Sequence, residues 1–140
     1  MKSSVRNKKM VRNDEDIIFE YFRLIKNKDI EQLMDLFAED AIIYEPFSKL
    51  TKGLKGKSAI ESFLRIAIMA NDTLQHNIII EKENQNNNEK SYNSTSIAAL
   101  VTFERGDTMK ARFVFELGKN NDHIFDSKQK KIKALHIQFF

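Results

Sequence analysis

Glu45 has the clearest chemical promise in this chain. It follows a short apolar run, Ala41-Ile42-Ile43-Tyr44, and immediately precedes Pro46, the only proline. A carboxyl at a strand end among apolar side chains loses hydration, which raises its pKa toward the range of a general base. The competing arrangement leaves Glu45 in water at a sheet edge. Tyr21 comes second. It shares a helical stripe with Ile18, Phe22 and Ile25. Its ring therefore belongs to the interior, and its hydroxyl meets either a core acceptor or a ligand.

The other reactive residue types are poorly spaced for chemistry. His76 and His123 lack a second ligand at an H-x-x-x-H spacing, so no metal is assigned. Gly53 and Gly56 do not have the G-x-x-x-x-G-K-S/T spacing of a phosphate loop. Lys52, Lys55 and Lys57 read as a solvated loop, with attraction of an anionic ligand as the alternative. There is no cysteine, which excludes disulfides, thiolate nucleophiles and zinc–cysteine sites. No Ser-His-Asp arrangement stands out, and no cofactor is called for.

The elements that must position these residues fit one domain over 13–140, given a chain of 140 residues with 41% hydrophobic content. Residues 1–12 carry Lys2, Arg6, Lys8, Lys9 and Arg12 among Ser and Asn. They read as a solvated, mobile arm, with contact to an anionic partner as the alternative. Elsewhere a net charge of +3 is spread among acids, so no nucleic-acid face is expected. No apolar run reaches the ~20 residues of a membrane span, and no apolar stretch follows the basic start. The expected location is cytoplasmic.

A first helix begins near Asn13 or Asp14, with Asp14, Glu15 and Asp16 in its first turn. Asp29 caps a second, whose face is Ile30, Leu33, Met34 and Phe37; Glu39-Asp40 ends it. Residues 41–44 form a strand and 47–57 a loop. Ser58 and Glu61 have the spacing of a capping box on a third helix that carries Ile60, Phe63, Leu64, Ala67 and Ile68 inward. The period then changes to 2. Strands are expected over 73–83, 95–104, 108–117 and 131–140, with polar loops over 84–93 and 118–129 and a tight turn at Arg105-Gly106-Asp107. Three helices segregated onto an antiparallel meander make an α+β fold, a cone open at one end.

On the last strand, Leu135, Ile137 and Phe139 share the inward face, which leaves His136 outside. Ala98, Leu100 and Thr102 are read as inward with Ala111, Phe113 and Phe115. Ile97, Val101, Phe103 and Val114 are then outward. So apolar an outer face predicts a homodimer packed through the sheet, with Arg112 and His136 in the interface.

The order of elements, with Phe37-Ala38-Glu39-Asp40-Ala41 and Gly56-Lys57-Ser58-Ala59-Ile60-Glu61-Ser62-Phe63, resembles the nuclear-transport-factor-2-like superfamily. It is most similar to the SnoaL-like and ketosteroid-isomerase-like branch. The resemblance covers roughly 15–140. It implies a cone-shaped, cystatin-like α+β barrel: three N-terminal helices on a curved, mixed but mostly antiparallel sheet. It also implies that Glu45 stands where the isomerase has its general base, an Asp just before a Pro. Tyr21 stands where that family has its first oxyanion donor. Phe115 replaces the second donor, an Asp, and Leu64 replaces a supporting Tyr. One donor in place of two costs ~10²–10³ in rate, so steroid isomerisation itself is not expected.

Two functions follow. One is proton-transfer chemistry of the isomerase, cyclase or dehydratase type on a hydrophobic carbonyl compound, with Glu45 as base and Tyr21 as oxyanion donor. Phe22, Phe63, Leu64, Leu100, Phe113, Phe115, Leu135, Ile137 and Phe139 would line its pocket. The other is a non-catalytic ligand-binding or dimerisation module. The chain has 11 Phe. If these fill the cone, no ligand-sized volume remains and the enzyme reading fails.

Overall fold

The computed structural model describes residues 13–47, 52–81, 94–119 and 130–140. They form α1 (Asp14–Asn27), α2 (Ile30–Leu36), β1 (Phe37–Tyr44), β2 (Leu54–Lys55), α3 (Lys57–Ala70), β3 (Gln75–Glu81), β4 (Ser94–Arg105), β5 (Asp107–Lys119) and β6 (Lys130–Phe139). The basic arm over 1–12, residues 48–51 of the loop after Pro46, the polar stretches over 84–93 and 120–129, and His123 lie outside the described residues.

Local chemistry sets the helix ends. Asn13 accepts from the Asp16 N–H while the Asp16 carboxylate accepts from the Asn13 N–H, which satisfies two free amides at the start of α1. Lys28 ends the helix in the left-handed region, at φ 59°. Its N–H donates to the Ile25 carbonyl, and the Asp29 N–H donates to that of Leu24. Asp29 then caps α2 by accepting from the Gln32 N–H. At α3 the expected capping box does not form. The helix starts at Lys57 behind Gly56, so Ser58 already lies inside the first turn. Glu61 pairs instead with Arg65, at 2.6 Å.

The sheet runs β2-β1-β6-β5-β4-β3. The β1–β6 pair is parallel and the other pairs are antiparallel. β1 begins at Phe37, earlier than the sequence suggests. A register shift between Phe37 and Ile42 accommodates Glu39 and Asp40, which stay exposed. Asp40 is held from β6 by Lys133, at 3.1 Å. The β4–β5 turn leaves Gly106 alone between paired Arg105 and Asp107, at φ +85°.

That turn fixes which face β4 presents, and it overturns the expected one. Ile97 pairs with Phe115, Ala99 with Phe113, Val101 with Ala111 and Phe103 with Met109. Residues directly opposite share a face. Ile97, Ala99, Val101 and Phe103 therefore point to the helices, and all are buried. Leu100, expected inward, lies outside, opposite Arg112 and Ile79. The outer face carries Ile79, Ala98, Leu100 and Val114 rather than Ile97, Val101 and Phe103. Three helices on one face of a six-stranded mixed sheet complete the α+β cone.

Candidate functional site

The cone is filled at one end and hollow at the other. Phe115, Leu117, Ile132 and Leu135 on the sheet, with Ile18 and Leu33 on the helices, are all 1% exposed or less. Toward the C-terminal ends of α1, α3, β1, β4 and β6 a cavity of about 400 Å³ remains. That volume lies within the ~300–1,000 Å³ of small-molecule sites. Tyr21 and Phe22 of α1, Phe63 and Ala67 of α3, Phe103, Phe113, Ile137 and Phe139 form its apolar wall.

Tyr21 is 2% exposed and held by rings. It meets Phe22 edge-on at 4.9 Å and Phe115 at 5.5 Å. The wall continues through Phe22–Phe113 at 5.1 Å and Phe103–Phe139 at 6.2 Å. Among the described residues none hydrogen-bonds the Tyr21 hydroxyl, and Tyr21 lines the cavity. Burial pushes its pKa well above the ordinary phenol value, so the group stays protonated and available as a donor.

Glu45 lines the same cavity from the end of β1. It is half-buried, and its Oε1 accepts from the Phe47 N–H at 2.8 Å, closing a turn over Pro46. Two contacts place that strand end. On the outer face Tyr44 stacks on His136 at 4.6 Å and 11°. Gly53, at φ +81°, packs so closely that a Cβ there would sit 2.5 Å from Ile42 Cγ2. With Tyr44 turned outward, Glu45 follows on the cavity side.

Polar groups border the remaining wall. Asn71 lines the cavity; its Oδ1 lies 2.7 Å from His76 Nε2, and its Nδ2 donates to the Ala67 carbonyl at 2.6 Å. His76 packs against Phe22 and Phe103. Burial lowers its pKa, and Lys26 adds to the effect. Arg105 and Asp107 line the mouth at the hairpin tip, and Arg105 donates to the Ala70 carbonyl at 3.1 Å.

The cavity thus brings together Tyr21, Glu45, Phe22, Phe63, Phe113, Ile137 and Phe139 from the expected set. Leu64, Phe115 and Leu135 do not line it; each is 0% exposed in the packed end. Leu100 is on the opposite face. Phe103 falls outside the expected set because the apolar pattern of β4 admits a phase one residue off, and Arg105 and Asp107 follow once the phase is set from the turn. Phe47, Ile66 and Met109, which line the rim, are exposed; Met109 shares the inward phase of β5 with Ala111 and Phe113, while Phe47 and Ile66 carry no period that marks them. Among the described residues no group of three or more His, Asp or Glu is placed to hold a metal ion. No described helix is long and apolar enough to cross a membrane.

No protein-family model matches the chain, and no curated protein matches it. Solved structures do. A ketosteroid isomerase-like protein from Erwinia carotovora atroseptica superposes with a TM-score of 0.67 at 12% identity, covering 90% of this chain and 92% of that one. A candidate scytalone dehydratase from Novosphingobium aromaticivorans gives 0.64 at 20% identity, covering 90% and 80%. A candidate calcium/calmodulin-dependent protein kinase type II association domain from Thiobacillus denitrificans gives 0.68 at 12%, covering 95% and 99%. The fold is therefore the cystatin-like, nuclear-transport-factor-2-like one. Its neighbours include proteins named as enzymes and proteins named for association.

Proposed function

We propose that this protein binds a small apolar carbonyl compound in the cone and moves a proton on it. The observation that carries this reading is that a protonated phenol, Tyr21, and a carboxyl, Glu45, line one cavity whose wall is mostly apolar. Glu45 takes a proton from the carbon beside the carbonyl. Tyr21 donates a hydrogen bond to the oxygen as negative charge develops there. Glu45 then returns the proton at the same or another carbon, which completes an exchange or an isomerisation. The Phe47 N–H holds the carboxylate in place through the cycle. The neighbours named for isomerase-like and dehydratase proteins agree with such a role without assigning it.

The test is hydrogen–deuterium exchange at the α-carbon of 2-tetralone in deuterated water, followed by NMR. Wild type accelerates exchange. Glu45→Gln loses the acceleration while still binding the ketone, and Tyr21→Phe loses ~10²-fold. Exchange in Glu45→Gln at the wild-type rate would remove Glu45 from the mechanism.

A second reading concerns assembly. Ile79 is 59% exposed on the outer sheet face and adjoins Leu100, Ala98 and Val114. Together with the neighbour named as an association domain, this patch supports a homodimer through that face. Light scattering on Leu100→Glu reports it: a dimeric wild type becomes monomeric.

A further inference from the structure

We infer that the cone favours apolar molecules carrying an oxyanionic head, a carboxylate or sulfonate, and that Arg105 holds this head at the mouth. This rests on the cavity being a ligand site, and it adds the chemical class of the ligand.

Arg105 is the only cationic side chain among the described residues that line the cavity. Its partner in register is Asp107, and both follow the inward parity of Phe103 and Met109. The guanidinium reaches across to the end of α3, where one terminal nitrogen donates to the Ala70 carbonyl at 3.1 Å. That bond fixes the head group of Arg105 over the opening. A guanidinium has five N–H donors in a planar fork, so most remain for a ligand. Among the described residues no carboxylate pairs with it. The α3 end does not depend on Arg105 alone, because the Asn71 N–H and Nδ2 both donate to the Ala67 carbonyl.

Placement separates the head from the chemistry. β4 and β1 stand three strand spacings apart in the sheet, ~14 Å along it at ~4.8 Å per strand. Arg105 and Glu45 therefore enter the same cavity from different strands, β4 and the end of β1. The wall between them is apolar and can accommodate only an apolar body. An anionic head placed elsewhere along that wall would be desolvated with no cationic partner among the described residues. Asp107, opposite Arg105 in register and lining the same mouth, weakens the site without neutralising Arg105.

The probes are 1-anilinonaphthalene-8-sulfonate and N-phenyl-1-naphthylamine, which share a ring system and differ in the sulfonate. Fluorescence titration of wild type gives tighter binding of the sulfonate. Arg105→Gln weakens the sulfonate by ~10-fold or more, the scale of a charge-assisted hydrogen bond. The neutral amine is unaffected, and Arg105→Lys restores part of the loss. Asp107→Asn, which leaves Arg105 in place, strengthens the sulfonate alone. If both probes weaken together in Arg105→Gln and neither responds to Asp107→Asn, Arg105 only braces α3 and the inference fails. If wild type binds the amine with no preference for the sulfonate, the inference fails and the cavity reading stands. If neither probe binds, the cavity reading fails with it.

Discussion

The two ends of the cone use the same residue types to opposite effect. At the packed end Phe115 is 0% exposed and sits among Tyr21, Phe22 and Phe113. At the mouth Phe47 is 74% exposed, with Phe139 at 5.5 Å. Both are phenylalanines of one inner surface, yet only the first is surrounded. Apolar surface left in water contributes no burial energy to folding. Its presence around a hollow is what a site needs if a ligand is to supply the missing contacts. Close packing and the proposed ligand site are thus divided along the cone axis.

Mutations can break or sharpen that division. The largest effect belongs to the packed end: Phe115→Ala costs ~3–5 kcal/mol by the usual penalty for emptying a buried aromatic site. Phe47→Ala stays within ~0.5 kcal/mol, as expected of an exposed side chain. Urea titration reads both, and equal losses would abolish the contrast. Next comes Gly53→Ala. Its Cβ meets Ile42 at 2.5 Å in a left-handed backbone, so ~1–3 kcal/mol is expected from overpacking, along with displacement of Glu45. Gly106→Ala, where a Cβ meets nothing within 4 Å, costs less, ~1 kcal/mol of backbone strain. Equal costs would mean that Gly53 is not a close contact.

His76 gives a smaller, pH-dependent signal at the mouth. Its folded pKa lies below the ordinary 6.5. The unfolded chain therefore takes up the proton first as pH falls. The contribution is complete above 6.5 and is lost as pH falls toward the folded value. His76→Gln should flatten that part of the curve of stability against pH, and an unchanged slope would show that His76 is not desolvated. The smallest effect is a gain: Lys28→Gly relieves a left-handed residue at φ 59° and adds ~0.5–1 kcal/mol. It gives up only an exposed ion pair with Asp72.

The helices and strands were legible because their periods are clean. Ile18, Tyr21, Phe22 and Ile25 mark one face of α1, and the Asp29 cap follows from residue type. β4 was different. Ile97, Ala98, Ala99, Leu100 and Val101 are apolar on both sides, so alternation could not say which side is inner. A one-residue slip there exchanges every side chain between faces, which sent Phe103 outward and Leu100 inward. Counting outward from the turn at Gly106 settles it, because Arg105 opposes Asp107. Glu45 is marked by its strand end before Pro46 and Tyr21 by its helical stripe, but only the family pattern pairs them, and nothing in the spacing alone brings them to one cavity. The hollow itself was not readable, since whether the Phe side chains fill the cone depends on packing that composition does not encode.

The strand order has a consequence for how the molecule is made. β6, the last strand in sequence, lies between β1 and β5 and joins the early part of the chain to the hairpins. Until it is translated, β1 has among the described residues no strand neighbour but the two-residue β2. A nascent chain on the ribosome therefore carries an unpaired apolar edge, Ala41 to Tyr44, and a half-assembled mouth. Truncation ahead of Lys130 removes the strand that joins the two halves of the sheet, and chaperone demand should peak just before β6 emerges.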